Sequence, residues 1–542
     1  MTLYISIQKF RGLARSGSAL SENRVWPYVH SLGASVRTTS IMEKAGVASP
    51  RAAVTVPASD VALEVDMAAT PEAEAETTSL SGKVWRAWVK NCESLYLRSS
   101  ASTHSATRSY VLDGLRALAV FWVIAFHVMV MVIAEGLHPL LSRLVSFWPA
   151  QVVFNGDMGV DVFFTLSGYL IGRILLRDLV LARREGPRGV ASALLTFYVR
   201  RWLRIFPLLA AAIAITVACN EISLAVNGGQ GFAYFAFASG AECSNFSEVW
   251  PILLFVNNYV GNFGCLVQTW SVAVEMQMYL VSPLVLWLAF SLKDDKPRRF
   301  CYAFLFALSL LQIGFNALHL YAPSLQNGQL FFFIPTTMPP PDKTAMLPLS
   351  YAATWCRFSP YVSGLAVGIA QREGRKPALG GVAHALWALL VLSSGGALLF
   401  LGVGNNYMTY EVSPALAQVL ALAGRWWFGW CVAAVIRMCQ AGRLRALRGL
   451  LSLECWYPVA VLSYGMYLLH LIWVTMVKGV DDFKAISPLQ SVWVSWSVFS
   501  WDFTVCAVLS ALSALLTYLA LEKPVMNLRP SIALKSRDGR SE

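Results

Sequence analysis

Beyond residue 110 the chain alternates long apolar runs with short polar connections. A helix needs about 20 apolar residues to cross a bilayer. Ten segments fit that pattern, near 115–134, 158–176, 205–225, 269–291, 301–321, 356–372, 382–402, 413–437, 456–478 and 494–520. A glycine or a charge inside such a run is tolerated where it faces protein rather than lipid. Residues 251–260 are apolar but too short to cross, and read as a re-entrant or interfacial piece. The pattern predicts an all-α fold: a polytopic membrane helix bundle of about ten transmembrane helices.

The polar connections orient the bundle, because Lys and Arg favour cytoplasmic loops. The second connection holds Arg177, Arg183, Arg184, Arg188, Arg200, Arg201 and Arg204. The fourth, sixth and eighth are basic as well, through residues such as Lys293, Arg372 and Arg443. The odd connections hold only Arg143, Lys343 and Lys484. This alternation predicts that both termini are cytoplasmic. It also places Cys243, Cys265 and the sequon Asn245-Phe246-Ser247 in one exoplasmic loop, 226–268. That is the side on which disulfides and glycans form, so Cys243–Cys265 is a candidate bridge and Asn245 a candidate glycosylation site.

Composition agrees with the pattern. Hydrophobic residues make up 56% of the 542 and charged residues 14%, against about 25% charged in soluble domains. The net charge of +12 follows from the basic connections and does not imply nucleic-acid binding. Ten cysteines are scattered without a CxxC pair, so no metal site is expected. Residues 1–110 form a separate region, read as a largely disordered cytoplasmic segment. Its basic first part is followed by an acidic run from Asp60 to Glu76 and by a candidate interfacial helix over 83–97. The transmembrane domain is expected over 111–525, with a basic tail over 526–542. An endomembrane or plasma-membrane location fits this organisation better than an organellar one.

Ionisable residues inside spans are expensive and mark function by default. Arg116 and His127 share the first span, eleven positions apart. At about 100° per residue they lie on one helix face, roughly 16 Å apart along the axis. A snorkelling Arg and a structural His would give the same spacing. His127, Glu275, His470 and Asp502 enter from different ends of four spans, yet converge at about 18–21 Å from the cytoplasmic side. A Glu–His pair at such a depth would make a usable base, so Glu275 is expected to orient His127. At the cytoplasmic surface Arg200, Arg201 and Arg204 cluster ahead of the third span, and Arg116 lies at the same level. Guanidinium forks bind phosphates bidentately, although topology alone would also place them there. Asp161, Ser271, Tyr279, His470 and Asp502 are further candidates for a substrate pocket.

Seven stretches together resemble the integral-membrane acyltransferase family 3, including its eukaryotic nose-resistant-to-fluoxetine-like branch. They are LDGLRALAVFWVIAFH (112–127), GVDVFFTLSGYLIGRIL (159–175), FYVRRWLRIFPL (197–208), TWSVAVEMQMYLVSPL (269–284), CRFSPYVSGLAVG (356–368), SYGMYLLH (463–470) and LEKP (521–524). The resemblance implies transfer of an acyl group, usually acetyl, from cytoplasmic acyl-CoA to an acceptor on the far side of the membrane. Its Arg-x10-His motif falls on Arg116 and His127, and its Arg-x-x-Arg motif on Arg201 and Arg204, expected at the CoA phosphates. Its Trp-Ser-x-x-x-Glu motif falls on Trp270, Ser271 and Glu275. Glu275-Met276-Gln277 departs from the paired acids of bacterial members. Acyl-CoA is then a co-substrate rather than a tightly bound cofactor. The acceptor is a carbohydrate or lipid hydroxyl, and membrane lipid is the surrounding partner. His127 would deprotonate that hydroxyl or carry the acyl group transiently. A proton-coupled transporter or lipid carrier using the same His and Glu residues is the competing class, and a non-catalytic lipid-binding protein a third. No inverted repeat or Gly/Pro-broken helix pair favours transport.

Overall fold

Backbone groups in lipid must be paired within their own segment, which leaves the helix as the solution for runs of this length. The computed structural model describes residues 110–134, 150–227, 243–260, 265–290, 297–321, 349–372, 381–401, 414–480 and 492–527, and among them every regular element is helical. Ten principal helices fall on the ten apolar segments. They are α1 (Tyr110–Ala134), α2 (Met158–Ala182), α3 (Gly186–Asn227), α4 (Thr269–Phe290), α5 (Pro297–Tyr321), α6 (Phe358–Arg372), α7 (Gly381–Leu401), α8 (Arg425–Gln440), α9 (Trp456–Val480) and α10 (Val492–Thr517). Six described stretches are long and apolar enough to cross a membrane: Tyr110–Met129, Met158–Cys219, Thr269–Leu288, Phe300–His319, Trp456–Val477 and Phe499–Asn527. The second joins α2 to α3 through a 3-10 turn at Arg183–Glu185. α8 continues back through a π-helical turn, Leu420–Gly424, to Pro414–Val419. The expected helix at 83–97, the acidic run before it and the tail beyond residue 527 lie outside the described residues.

The tightest packing joins α2 to α6. A Cβ on Gly168 would stand 1.9 Å from the carbonyl oxygen of Tyr361, and one on Gly364 2.0 Å from that of Thr165. One turn further along, Gly172 meets the Leu365 carbonyl and Gly368 that of Tyr169. Each helix carries a Gly-x-x-x-Gly face, which lets two backbones touch. The partners advance together, so the two helices run parallel. α4 runs the same way beside α2: Phe164 packs on Trp270, and further along both helices Ser167 bonds Glu275. α1 and α9 are parallel as well. Gly114 abuts Leu451 just ahead of α9, and His127 meets His470 further along.

One end of α2, α6 and α8 is tied by a buried ionic clasp. Arg425 bonds Asp161 at 2.6 Å and also Asp157, while Arg357 bonds both oxygens of Asp161 at 3.3 Å. The Arg357 guanidinium lies 4.1 Å from the ring centre of Tyr351 and 4.9 Å from that of Trp270. Asp161 is therefore held by two guanidinium groups and is not among the residues lining the cavity between α1, α2, α3, α4 and α9. At the same end Cys243 and Cys265 are joined by a disulfide. Asn245 is exposed at the turn opening a short helix, Phe246–Leu253. The residues after it fold onto the start of α4, where Asn257 bonds Thr269 at 3.0 Å and Gln277 bonds Asn258 at 2.9 Å.

Candidate active site

Between α1, α2, α3, α4 and α9 lies a cavity that is partly open to the surroundings. Helical periodicity builds its polar wall. Arg201 and Arg204, three apart on α3, share a face, as do Ser271, Glu275 and Tyr279 at four-residue steps on α4. Arg116 enters from α1, Ser167 from α2, and Ser463, Tyr464 and Tyr467 from α9. Phe163, Phe164, Leu166 and Leu170 close the apolar side.

Three guanidinium groups thus face one carboxylate, since Glu275 is the sole acid in the lining. Its Oε1 accepts from Tyr279 OH at 2.5 Å and from Ser167 Oγ. The Arg201 guanidinium lies 5.3 Å from the Tyr279 ring centre and 5.7 Å from that of Phe197, so two aromatic faces hold it in place. Ser271 Oγ and Tyr467 OH are 2.5 Å apart. The excess of positive charge around empty space suits a polyanionic ligand.

The histidines stand one turn beyond. His127 Nδ1 is 3.1 Å from His470 Nε2 and 2.9 Å from the Val123 carbonyl oxygen. His470 is fully buried, and its Nδ1 lies 2.6 Å from the Tyr467 carbonyl oxygen. Neither imidazole lines the cavity. The Tyr467 ring separates them from it, packing 5.7 Å from the His470 ring and 6.1 Å from that of Phe163.

The structure therefore corrects two expectations about partners. His127 pairs with His470 and not with Glu275, because α1 packs on α9, α2 and α10 while α4 lies across the cavity. His470 belongs to that pair rather than to a pocket wall. Asp502, also buried, lies on α10 outside the cavity lining, beside Phe503, which packs on Phe121 of α1. Arg200 is likewise not part of the lining, being one residue and about 100° round the helix from Arg201. Sequence reasoning missed Ser167, Tyr464 and Tyr467, whose hydroxyls carry no charge to mark them inside an apolar run. It also missed Arg357 and Arg425, for which a signal existed: both are ionisable residues inside apolar segments.

The bundle defines an integral, multi-pass membrane protein, and its cavity is lined by three guanidinium groups and one carboxylate. An acyltransferase domain of family 3 matches residues 109–518, and the chain belongs to that family. Among its relatives, the chain is 31% identical over 236 residues to "Peptidoglycan O-acetyltransferase OatA" of Listeria monocytogenes, covering 42% of this chain and 32% of that protein. It is 28% identical over 253 residues to "O-acetyltransferase OatA" of Staphylococcus aureus, covering 46% of this chain and 35% of that protein. The chain thus spans about a third of the length of these curated relatives. No solved structure matches the chain.

Proposed function

We propose that the protein is a membrane O-acetyltransferase that moves an acetyl group from cytoplasmic acyl-CoA to a hydroxyl of a carbohydrate or lipid, at the membrane or its far side. The observation that carries this reading is the cavity, with Arg116, Arg201 and Arg204 around empty space and a single acid opposite. These forks bind the CoA phosphates at the cytoplasmic end. The pantetheine arm extends between α2, α4 and α9, and the thioester passes Tyr467 and Phe163 to reach His127. His127 takes the proton of the acceptor hydroxyl as its oxygen attacks the thioester carbonyl. The carbon–sulfur bond breaks, the CoA thiolate leaves, and the proton passes from the imidazolium to the thiolate. Free CoA and an acetyl ester result. Glu275 serves the CoA end, where it offsets part of the arginine charge and fixes Ser167 and Tyr279.

The orientation belongs to the same reading. The parallel pairs α2–α6, α2–α4 and α1–α9 join helices of equal parity, as successive crossings require. We take ten crossings with both termini cytoplasmic, since that arrangement puts every strongly basic connection on one side. The relatives' printed names favour a carbohydrate acceptor.

The test uses purified full-length protein in proteoliposomes. Radiolabelled acetyl-CoA is supplied on one face, and chitotriose or vesicle lipid serves as acceptor on the other. Label in chitotriose or lipid ester that is absent with His127→Ala supports the reading. Solute flux without acetylated product, or full acetylation by His127→Ala, overturns it.

A further inference from the structure

We infer that His470 is the positioning residue of the proposed reaction: it accepts the Nδ1 proton of His127 and so presents the other ring nitrogen, Nε2, to the acceptor hydroxyl. The inference rests on the reading of His127 as base.

Proton positions follow from the acceptors. A backbone carbonyl can only accept. The Tyr467 oxygen, 2.6 Å from His470 Nδ1, therefore requires the proton of that ring on Nδ1. A neutral imidazole carries one proton, and a charged one would be costly in this apolar interior. His470 Nε2 is then an acceptor, and His127 Nδ1, at 3.1 Å, must be the donor. The Val123 carbonyl, 2.9 Å from the same nitrogen, demands the same proton independently. Constraints from α1 and α9 thus agree on one tautomer. They leave His127 Nε2 unprotonated and, among the described residues, without a hydrogen bond.

The pair acts as more than a clamp. When His127 takes up a proton at Nε2, its Nδ1–H becomes a charge-assisted donor and the bond to His470 strengthens. That gain falls in the transition state rather than the ground state, which is the condition for raising kcat. A hydrolase triad uses a carboxylate in this position. Here the third group is fully buried, and an imidazole accepts the same bond without bringing a charge into the bilayer. The Tyr467 peptide in turn fixes His470. The hydroxyl of Tyr467 is tied to the Gln268 carbonyl at 2.9 Å, so the whole chain is anchored on the turn just ahead of α4.

The chain has seven histidines, few enough for nitrogen NMR of histidine-labelled protein in nanodiscs. His127→Asn and His470→Phe assign the two signals. Protonation of both rings at Nδ1 is expected, and a proton on Nε2 of either ring overturns the inference. In the acetyl-transfer assay His470→Phe should lower kcat roughly 10–100-fold, as expected for one lost hydrogen bond to a developing charge, with KM for acetyl-CoA unchanged. His470→Gln, whose amide oxygen can accept from His127 Nδ1, should regain most of the rate. A wild-type rate in His470→Phe overturns the inference, as does His470→Gln as inactive as Phe with the His127 proton still on Nδ1. A wild-type rate in His127→Asn would instead sink the underlying function, whatever the NMR reports.

Discussion

Two clusters of arginine occupy the bundle, and they are built on opposite plans. In the clasp, Arg357 and Arg425 face Asp157 and Asp161, so the charges cancel and aromatic rings cover them. In the cavity, Arg116, Arg201 and Arg204 line an open space in which Glu275 is the sole lining acid, with Asp113 near Arg116 behind the wall. Balanced charge without room serves architecture, and unbalanced charge beside open space suits an anionic ligand. Burial follows the same division: Arg357 and Arg425 are buried, whereas Arg116, Arg201 and Arg204 are half-buried around the cavity.

The largest effect should come from breaking the clasp. Arg425→Ala leaves Asp157 and part of Asp161 buried without their partner, which costs about 3–5 kcal/mol. Thermal unfolding in detergent should show the loss, and unchanged stability would remove the clasp from the architecture. Opening the cavity instead should leave stability near normal. Arg201→Ala or Arg204→Ala should weaken acetyl-CoA binding by about 1.5–3 kcal/mol each. Lys at either site should restore only part of it, because an ammonium cannot bind bidentately. Calorimetry of the purified protein decides this, and equal binding by wild type and the double Ala variant would reduce the two residues to topology signals.

A smaller cost is expected where no charge is involved. Gly364→Ala forces a Cβ toward the Thr165 carbonyl, and overpacking of this kind costs about 1–3 kcal/mol. An unchanged melting temperature would mean that α6 shifts without resistance. Smallest is Glu275→Gln, which keeps an oxygen for Ser167 and Tyr279 while removing the only acid from the cavity lining. Acetyl-CoA should then bind tighter by up to about 1 kcal/mol, and less so at high salt. Weaker binding would show that Glu275 does more than balance charge.

The two clusters also differ in how far the sequence revealed them. The helices were legible because apolar run length is a one-dimensional signal. Arg201, Arg204, Ser271, Glu275 and Tyr279 were legible because a helical repeat places them on common faces. His127 and His470 could be assigned one depth, because depth is counted along a helix. Which residue His127 would face could not be counted, since that depends on how α1, α4 and α9 are rotated about their axes. In the structure Tyr467 lies on Ser271 and Leu468 on Gln268, so Glu275 stands a turn from Ser271 on the side away from His470, which packs against α1. The clasp was overlooked for a related reason. Asp161 looked like a pocket residue while its partners, nearly 200 and more positions away, had no local signature.

The glycine contact between α2 and α6 has a mechanical consequence. Backbones that touch at four glycines leave no slack, so these helices move as a single stiff beam. The clasp locks α8 to the same beam. α1 and α9 are pinned to each other by the imidazole pair. Of the helices around the cavity, α3 and α4 are where bending costs least. Each carries an interior proline, Pro207 and Pro283, where the helix ladder lacks a bond and bending is cheapest. Arg201 and Arg204 sit less than two turns before Pro207, on the part of the molecule freest to swing.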